Sequence, residues 1–360
     1  MSRWPILVAA CLVSQSSTAR APDPFAFLAP TVRFTAADRG RLDRGTAVVR
    51  VLPSESGEIA IVAAVPIAAD RQRFVSWIRQ VAALKKSDFV REIARFSDPP
   101  ALADLDRLTL DDDDLEAIRR CGADDCDLNL GRDEIAALRE AVPTARGDWK
   151  DALQQAFRRL VLARVRGYLA AGQRTVPQYV GASSTTEAAF AAIVAHTPFL
   201  EAHLPDVTRY ALEYPRAPPP PHVESFLYWS KEALGGRPTT TLTHVVVDQP
   251  DSEDLPEVIV AGKQVFATHY TTGALNITAL TRASPGTGRY LVYFNRSRVD
   301  VLEHWYGGVA RFVIERRIKS EAAEVLQGLR HRIEGGDPPG GSVSGGETAT
   351  RRTPPPRESR

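Results

Sequence analysis

The most constraining feature of the sequence is a series of β-branched and aromatic runs in its last third, followed by one long amphipathic segment. Within residues 239–299 the runs TTTLTHVVVD, EVIVAGKQVFATHY, GALNITALTR and GRYLVYFNRSRV are separated by turn residues, which predicts an antiparallel meander. The segment GGVARFVIERRIKSEAAEVLQGLRHRIEGG then repeats apolar residues at helical spacing and predicts a long helix. Its apolar stripe consists of Val309, Phe312, Val313, Ile318, Ala322, Val325, Leu326, Leu329 and Ile333.

A second β-rich part lies toward the N-terminal end. Residues 45–67 contain two runs rich in Val, Ile and Ala on either side of a turn with Pro, Ser and Gly, which predicts a β-hairpin. Residues 70–84 carry apolar side chains at helical spacing and predict an amphipathic helix. The run FVREIARF predicts another short strand. We expect residues 20–44, which precede the hairpin, to form an extended segment.

Residues 132–236 have a different character and predict a helical region. Apolar residues recur at helical spacing in residues 147–172, and a capping box beginning at Ser184 opens a further helix. The run VESFLYWSKEALGG predicts a short aromatic helix that ends at its two glycines. The proline-rich residues 215–222 predict a stiff joint. At the C-terminal end, residues 336–360 have little to bury and predict a disordered tail.

The N-terminal residues 1–19 have the composition of a secretory signal peptide. Arg3 provides a positive charge, a short apolar run follows, and small residues precede the cleavage site. We therefore expect an exported protein, periplasmic or extracellular, from which Cys11 is removed. Lipidation of Cys11 is the alternative, although the apolar run before it is very short. No later apolar run approaches the roughly 18 residues that span a bilayer.

Export changes the interpretation of the remaining cysteines, Cys121 and Cys126. They form an even pair in a compartment where disulfides persist, so a local disulfide is the default prediction. An EF-hand loop counted from Asp125 fails, because Leu130 and Ala136 occupy the positions that need Gly and Glu. A zinc site would need more Cys or His ligands. We expect no metal site here.

The acidic run at residues 111–114 precedes this cysteine pair. Asp111 is a good helix N-cap, the next three aspartates fill the first turn, and Arg119 and Arg120 close the last turn. This distribution matches the helix macrodipole at both ends. A solvated, capped helix is therefore favoured over a cation site.

The order of the elements resembles that of the START-related, helix-grip (SRPBCC) family of ligand-binding proteins. The resemblance rests on the opening hairpin followed by IAADRQRFVSWI and on the closing meander followed by the helix VARFVIERRIKSEAAEVLQGLRHRIE. It implies an α+β fold in which an antiparallel sheet packs on the long C-terminal helix, with a cavity between them for an apolar ligand. Residues 45–131 and 237–335 would form one domain, and residues 132–236 a large helical insertion.

No sequence motif points to catalysis. A nucleophile elbow, a phosphate-binding loop, a zinc helix and a dinucleotide fingerprint are all missing, so neither a catalytic residue nor a cofactor is predicted. The polar residues of the meander, including Asn276, are the candidates for ligand contact. A histidine on a strand can orient a ligand, but it is more often a satisfied core residue. The candidate ligand-binding residues are His244, His269, Tyr270, Tyr293 and Asn295.

Two functions follow from this description. The first is an exported protein that binds an apolar or amphipathic small molecule between the sheet and the C-terminal helix. The second is a non-catalytic envelope module with a filled core that meets a protein partner. A hydrolase or isomerase that uses the strand histidines is a third. Nucleic acid is not an expected partner, because 45 Lys and Arg residues face 44 Asp and Glu residues and leave no basic field.

Overall fold

A computed structural model describes residues 23–122, 124–142, 148–234, 236–283, 288–303 and 307–339. The predicted signal peptide with Cys11, and the predicted tail beyond residue 339, lie outside these residues. The strands are β1 (Val48–Leu52), β2 (Glu58–Ile67), β3 (Val90–Arg95), β4 (Val223–Leu234), β5 (Arg237–Asp248), β6 (Val258–Ala267), β7 (Thr271–Arg282) and β8 (Arg289–Val299). In the described part of the chain they form one eight-stranded antiparallel sheet with the order β1-β2-β8-β7-β6-β5-β4-β3.

Helices lie on both sides of this sheet, and most of them belong to the region between β3 and β4. The α+β fold with an antiparallel sheet is therefore confirmed, as are the hairpin β1–β2, the strand β3 and the meander β5–β8. The helices are α1 (Ala36–Asp43), α2 (Arg71–Arg79), α3 (Val81–Leu84), α4 (Asp112–Arg120), α5 (Arg132–Glu140), α6 (Trp149–Ala171), α7 (Thr186–Ala195), α8 (Phe199–His203), α9 (Pro205–Glu213) and α10 (Gly307–Gly335).

Alternation along the strands gives the sheet two apolar faces. Successive side chains of a strand point to opposite sides, so neighbouring residues of β2 and β8 join different clusters. We call one side the α10 face; its apolar cluster contains Val65 and Leu291 together with residues of α2 and α10. We call the other side the helical-layer face; it carries Val292 and Phe294, and its clusters include residues of α4–α9.

Helix α10 contacts the α10 face through a narrow stripe. Leu326 and Ile333 are buried in the same cluster as Val65 and Leu291. The end of α10 is also tied to α2 and α3: Arg332 Nη1 donates to Leu84 O over 2.8 Å, and Trp77 Nε1 donates to Gly336 O over 3.1 Å. The predicted apolar stripe is wrong in part, because the helix meets the sheet along fewer rows than the sequence suggests. The exposed residues of the predicted stripe are Phe312, Val313 and Val325.

Residues 223–234 are strand β4, and the predicted aromatic helix is wrong. Leu227 and Trp229 of β4 lie opposite His244 and Leu242 of β5 and face the helical layer. Tyr228, between them, joins the cluster on the α10 face. Aromatic side chains pack well on a pleated, two-sided sheet, and this pairing outweighs the helical spacing. The helical region therefore ends with α9, and β4 belongs to the sheet.

The segment before the hairpin is not wholly extended as predicted. Residues Ala36–Asp43 form α1, and a capping box starts this helix: the Thr35 side chain accepts from Asp38 N, and the Asp38 side chain accepts from Thr35 N. Reciprocal capping of this kind satisfies two backbone N–H groups that a helix start leaves free. Among the described residues, none of the helices has the length and apolar character needed to cross a membrane.

Candidate functional site

A row of three polar side chains crosses the α10 face in the middle of the sheet. Tyr293 and Asn295 belong to β8, and Asn276 lies directly opposite Asn295 on β7. The Tyr293 hydroxyl and the Asn295 amide both donate to Asn276 Oδ1, each over 2.7 Å. Burial raises the pKa of Tyr293, so the hydroxyl keeps its proton at neutral pH. All three side chains are only half-buried, although β7 and β8 are interior strands. We call them the polar row.

The polar character continues toward the other edge of the same face. Lys85 Nζ donates to Glu232 Oε1 over 2.6 Å and to the Tyr228 hydroxyl over 3.1 Å. The Ser230 hydroxyl donates to the same carboxylate over 2.7 Å and lies 3.0 Å from the Thr241 hydroxyl. Burial of Glu232 opposes its charge, but the Lys85 ammonium outweighs this effect and holds the pKa of Glu232 below its ordinary value. The ion pair is therefore charged at neutral pH.

The remainder of the α10 face is apolar. Val65, Leu291 and Leu280 lie side by side on β2, β8 and β7, and Phe74 and Trp77 of α2 pack in the same buried cluster. Leu291 and Tyr293 are on the same side of β8, so the polar row borders this cluster directly. One face of the sheet thus combines a half-exposed polar part with a closed apolar part.

A surface recess of about 310 Å³ lies between α10 and the ends of β3, β4 and β5. Tyr270 fixes part of its wall: the tyrosine hydroxyl accepts from Gly236 N over 3.2 Å and from Arg237 N over 2.9 Å. Tyr270 holds a φ of 66°, a left-handed conformation that is uncommon outside glycine. The recess is lined by Asp88, Phe89, Arg91, Ala233, Gly236, Arg237, Pro238 and Arg317.

His244 lies on the helical-layer face, away from the polar row. Its Nδ1 is 2.8 Å from the Tyr168 hydroxyl, and the Tyr214 ring centroid lies 4.4 Å from its own. The side chain is fully buried, and this burial, aided by the positive charge of Lys263, lowers the pKa of His244 from 6.5 to about 3. His244 is therefore a neutral core residue that bonds to α6.

Lys263 lies opposite His244 on β6 and is also buried. Its Nζ donates to Ala211 O in the last turn of α9 over 2.8 Å and lies 4.6 Å from the Phe190 ring centroid. Burial, only partly offset by the charge of Glu187, lowers the pKa of Lys263 to about 8. A cation suits the C-terminal end of a helix dipole, so this lysine fastens α9 to the sheet. The sequence reasoning did not identify it.

His269, in the turn between β6 and β7, binds the helical layer through both ring nitrogens. Nδ1 lies 3.1 Å from Asp127 O, and Nε2 lies 3.0 Å from Asp114 Oδ1. The carbonyl and the carboxylate are both hydrogen-bond acceptors, so both ring nitrogens are engaged within the protein. Neither nitrogen is left for a ligand. The predicted solvated acidic turn is wrong at Asp114, which is 3% exposed.

The acidic run differs from the prediction at its first residue as well. Asp111 precedes α4, but its side chain makes no capping hydrogen bond. The carboxylate instead binds the ammonium of Lys231, a buried residue of β4 that also donates to Thr109 O over 2.9 Å. The ion pair between Asp111 and Lys231 thus takes the place of the predicted hydrogen bond to the backbone at the start of α4. The run therefore joins α4 to the sheet at two points, through Asp111 and Asp114.

Cys121 and Cys126 lie at disulfide-bonding distance, with 2.07 Å between their sulfur atoms. Cys121 is the residue after α4, and its carbonyl accepts from Arg139 Nη1 of α5 over 3.2 Å. The loop that follows carries Asp127, whose carbonyl contacts His269. The pair therefore constrains the connection between α4 and α5 next to the β6–β7 turn.

The five predicted ligand-binding residues do not form one site. Tyr293 and Asn295 lie together in the polar row, and Tyr270 supports the wall of the recess. His244 and His269 contact the helical layer, so the sheet separates His244 from the polar row. In the part of the chain that the structure describes, no group of three or more His, Cys, Asp and Glu side chains is arranged to hold a metal ion.

Comparison with known proteins gives little further information. No protein-family model matches the chain, and no curated protein matches it. Among solved structures, it is similar to the Zhui aromatase/cyclase from a Streptomyces species, with 15% sequence identity and a TM-score of 0.23. The similarity covers 36% of this chain and 82% of that one.

Proposed function

We propose that the protein binds an amphipathic small molecule on the α10 face, between the sheet and α10. The observation that carries this proposal is the polar row. Asn276, Tyr293 and Asn295 bond to one another, as buried polar groups normally do, yet they stay partly exposed on interior strands. A ligand can replace the water that reaches these groups.

The neighbouring apolar cluster supports the amphipathic character of the ligand. Binding sites for small molecules are mostly apolar, with a few polar groups that fix orientation. Val65, Leu280 and Leu291 provide such an apolar surface beside the polar row. The ligand's apolar part would lie toward this cluster, and its hydrogen-bonding groups would face Tyr293 and the two asparagines.

In this proposal α10 is the cover of the site, as the helix-grip resemblance implies. The burial of Leu326 and Ile333 against the sheet supports such a role. The preceding part of α10 makes looser contacts, because Ile318 and Ile314 are only partly buried against Ile59. Movement of this part would admit a ligand while the C-terminal end stays fixed.

We also propose that the protein is exported. The support is the pairing of Cys121 with Cys126, since disulfides persist in oxidising compartments and are rare in the cytosol. The helical layer is proposed to be structural: it supplies the partners of His244 and His269 and leaves the α10 face to the ligand.

Native mass spectrometry of the gently purified protein tests the binding function. We expect an additional mass of lipid size that is lost on denaturation. Tyr293→Phe removes one hydrogen bond, worth about 1 kcal/mol, so ligand retention should fall about fivefold. Tyr290→Phe is the matched control, because Tyr290 lies on the same strand and packs in a cluster on the helical-layer face.

Two results would contradict the proposal. The first is the absence of any bound mass in protein purified from several expression hosts. The second is an equal loss of retention in Tyr293→Phe and Tyr290→Phe. Either result favours the filled-core envelope module, in which the polar row has only a structural role.

A further inference from the structure

The recess beside α10 collects positive charge from three separate elements. Arg91 belongs to β3, Arg237 opens β5, and Arg317 lies on α10. Their side chains are 52%, 41% and 45% exposed, respectively, so solvent reaches all three. Asp88 is the carboxylate among the residues that line the recess, and Arg317 Nε donates to Glu321 Oε1 on the same helix over 2.6 Å. Guanidinium groups converging on one recess are the usual protein partners of carboxylate and phosphate.

Two of these arginines are held loosely by their carboxylate neighbours. Arg237 Nη1 lies 3.6 Å from Asp127 Oδ2, and Arg91 Nη1 lies 3.5 Å from Asp111 Oδ2. Charge-assisted hydrogen bonds are normally about 2.7–2.9 Å long. Asp111 is also engaged by Lys231 through its other oxygen. Both guanidinium groups can therefore take an anion at shorter range than their present contacts.

Tyr270 fixes the backbone at one side of the recess. Its hydroxyl accepts the N–H groups of both Gly236 and Arg237, so it fixes the turn from which the Arg237 side chain starts. Tyr270 has a left-handed φ of 66°, which is uncommon outside glycine. The two hydrogen bonds to its hydroxyl tie the β6–β7 turn to the β4–β5 turn. Tyr270 is thus a positioning residue for the recess.

The recess lies at the ends of β4 and β5, which belong to the same sheet as the polar row on β7 and β8. Ala233 and Pro238 line it, and they pair with each other at the ends of β4 and β5. The next residues inward on the α10 face include Glu232 and Thr241. From Pro238 to Val245, in the apolar cluster, β5 runs about 23 Å at about 3.3 Å per residue. A long-chain molecule can span this distance.

We propose that the ligand is a long-chain amphiphile with a carboxylate end group, which Arg237, Arg91 and Arg317 hold in the recess while its apolar part lies under α10. This inference rests on the proposed binding function and adds the chemical class of the ligand. The guanidinium groups orient the chain, which runs along β5 to the apolar cluster.

A pair of probes that differ only at the end group tests this inference. Radiolabelled hexadecanoate and hexadecan-1-ol are delivered from methyl-β-cyclodextrin at about pH 8, and retention on the immobilised full-length protein is measured. We expect hexadecanoate to bind about 10- to 100-fold more tightly, as one or more charged hydrogen bonds require. Arg237→Gln should weaken hexadecanoate about tenfold and leave hexadecan-1-ol unchanged. Tyr270→Phe should have a smaller effect in the same direction.

The control variant is Arg79→Gln, which removes an exposed arginine that pairs with Glu224 away from the recess. It should change neither affinity. Equal binding of the two probes would overturn the inference and leave the proposed function intact. Equal weakening of both probes in Arg237→Gln would also overturn it, because the arginine would then act on the fold. Retention of neither probe would contradict the proposed function itself.

Discussion

The buried histidine His244 should make the protein sensitive to acid in a way that can be calculated. Its side chain is 1% exposed. Its hydrogen-bond partner is the Tyr168 hydroxyl, and the rings of Tyr210 and Tyr214 lie against it, with centroids at 6.1 and 4.4 Å. The nearby charge is the ammonium of Lys263, which disfavours a second cation. The folded protein therefore holds the imidazole neutral.

The sign and size of the effect follow from the pKa of His244, which falls from 6.5 to about 3 on folding. In the unfolded chain the imidazole takes up a proton near pH 6.5, whereas in the folded protein it stays neutral until about pH 3. The full stability contribution is present above pH 6.5 and is lost as the pH falls toward 3. At about 1.4 kcal/mol per unit, the loss reaches about 4–5 kcal/mol. Lys263, whose pKa is about 8, is protonated in this range and adds no slope.

Urea unfolding of the wild type and of His244→Asn at several pH values between about 7 and 4 measures this contribution. The asparagine oxygen can accept from Tyr168 as Nδ1 does, but it does not titrate. Over this range the wild type should lose about 3 kcal/mol more than the variant. His331→Asn, at an exposed position of α10, is the control and should follow the wild type. Parallel curves for the wild type and His244→Asn would refute the assignment.

Two further predictions concern the contacts between the sheet and the helical layer. Asp114→Asn removes the carboxylate from buried His269 and should lower the free energy of unfolding by about 3–5 kcal/mol, whereas Asp113→Asn, at an exposed neighbour, should change it by less than about 0.5 kcal/mol; urea denaturation at neutral pH distinguishes them. Because folding lowers the pKa of Lys263 from 10.5 to about 8, stability should rise by about 2 kcal/mol between about pH 8 and 9.5. Lys263→Met should abolish this rise in the same assay, and a persisting rise would assign it to another group.

The sequence predicted those strands whose pairing partner lies next along the chain. The hairpin β1–β2 and the meander β5–β8 consist of β-branched runs joined by turns, so local composition and connectivity agree. Strand β4 was missed although its partner β5 follows it directly in the chain. The run FLYWSKEAL also has helical spacing, and only its pairing with β5 and β3 decides for a strand. Tertiary pairing here outweighs a local pattern that fits both structures.

The candidate site was predictable only where strand alternation determines it. Tyr293 and Asn295 were placed on one face of β8 by alternation, and the polar row bears out this placement. His244 and His269 were named as residues of interest, but their partners Tyr168 and Asp114 are 76 and 155 residues away in sequence. No spacing rule encodes contacts of that range. They depend on how the helical layer docks on the sheet.

Polar groups on the two faces of the sheet differ in burial and in bonding partners. On the helical-layer face His244 and Lys263 are almost fully buried, and each bonds to a helix of the layer. The helical layer therefore encloses both groups. On the α10 face Tyr293 bonds to Asn276 within the sheet, and both remain half-exposed. Burying a polar group costs free energy unless it is hydrogen-bonded, so the groups on the helical-layer face need their helix partners. The partly exposed groups on the α10 face can exchange partners, as the binding proposal requires.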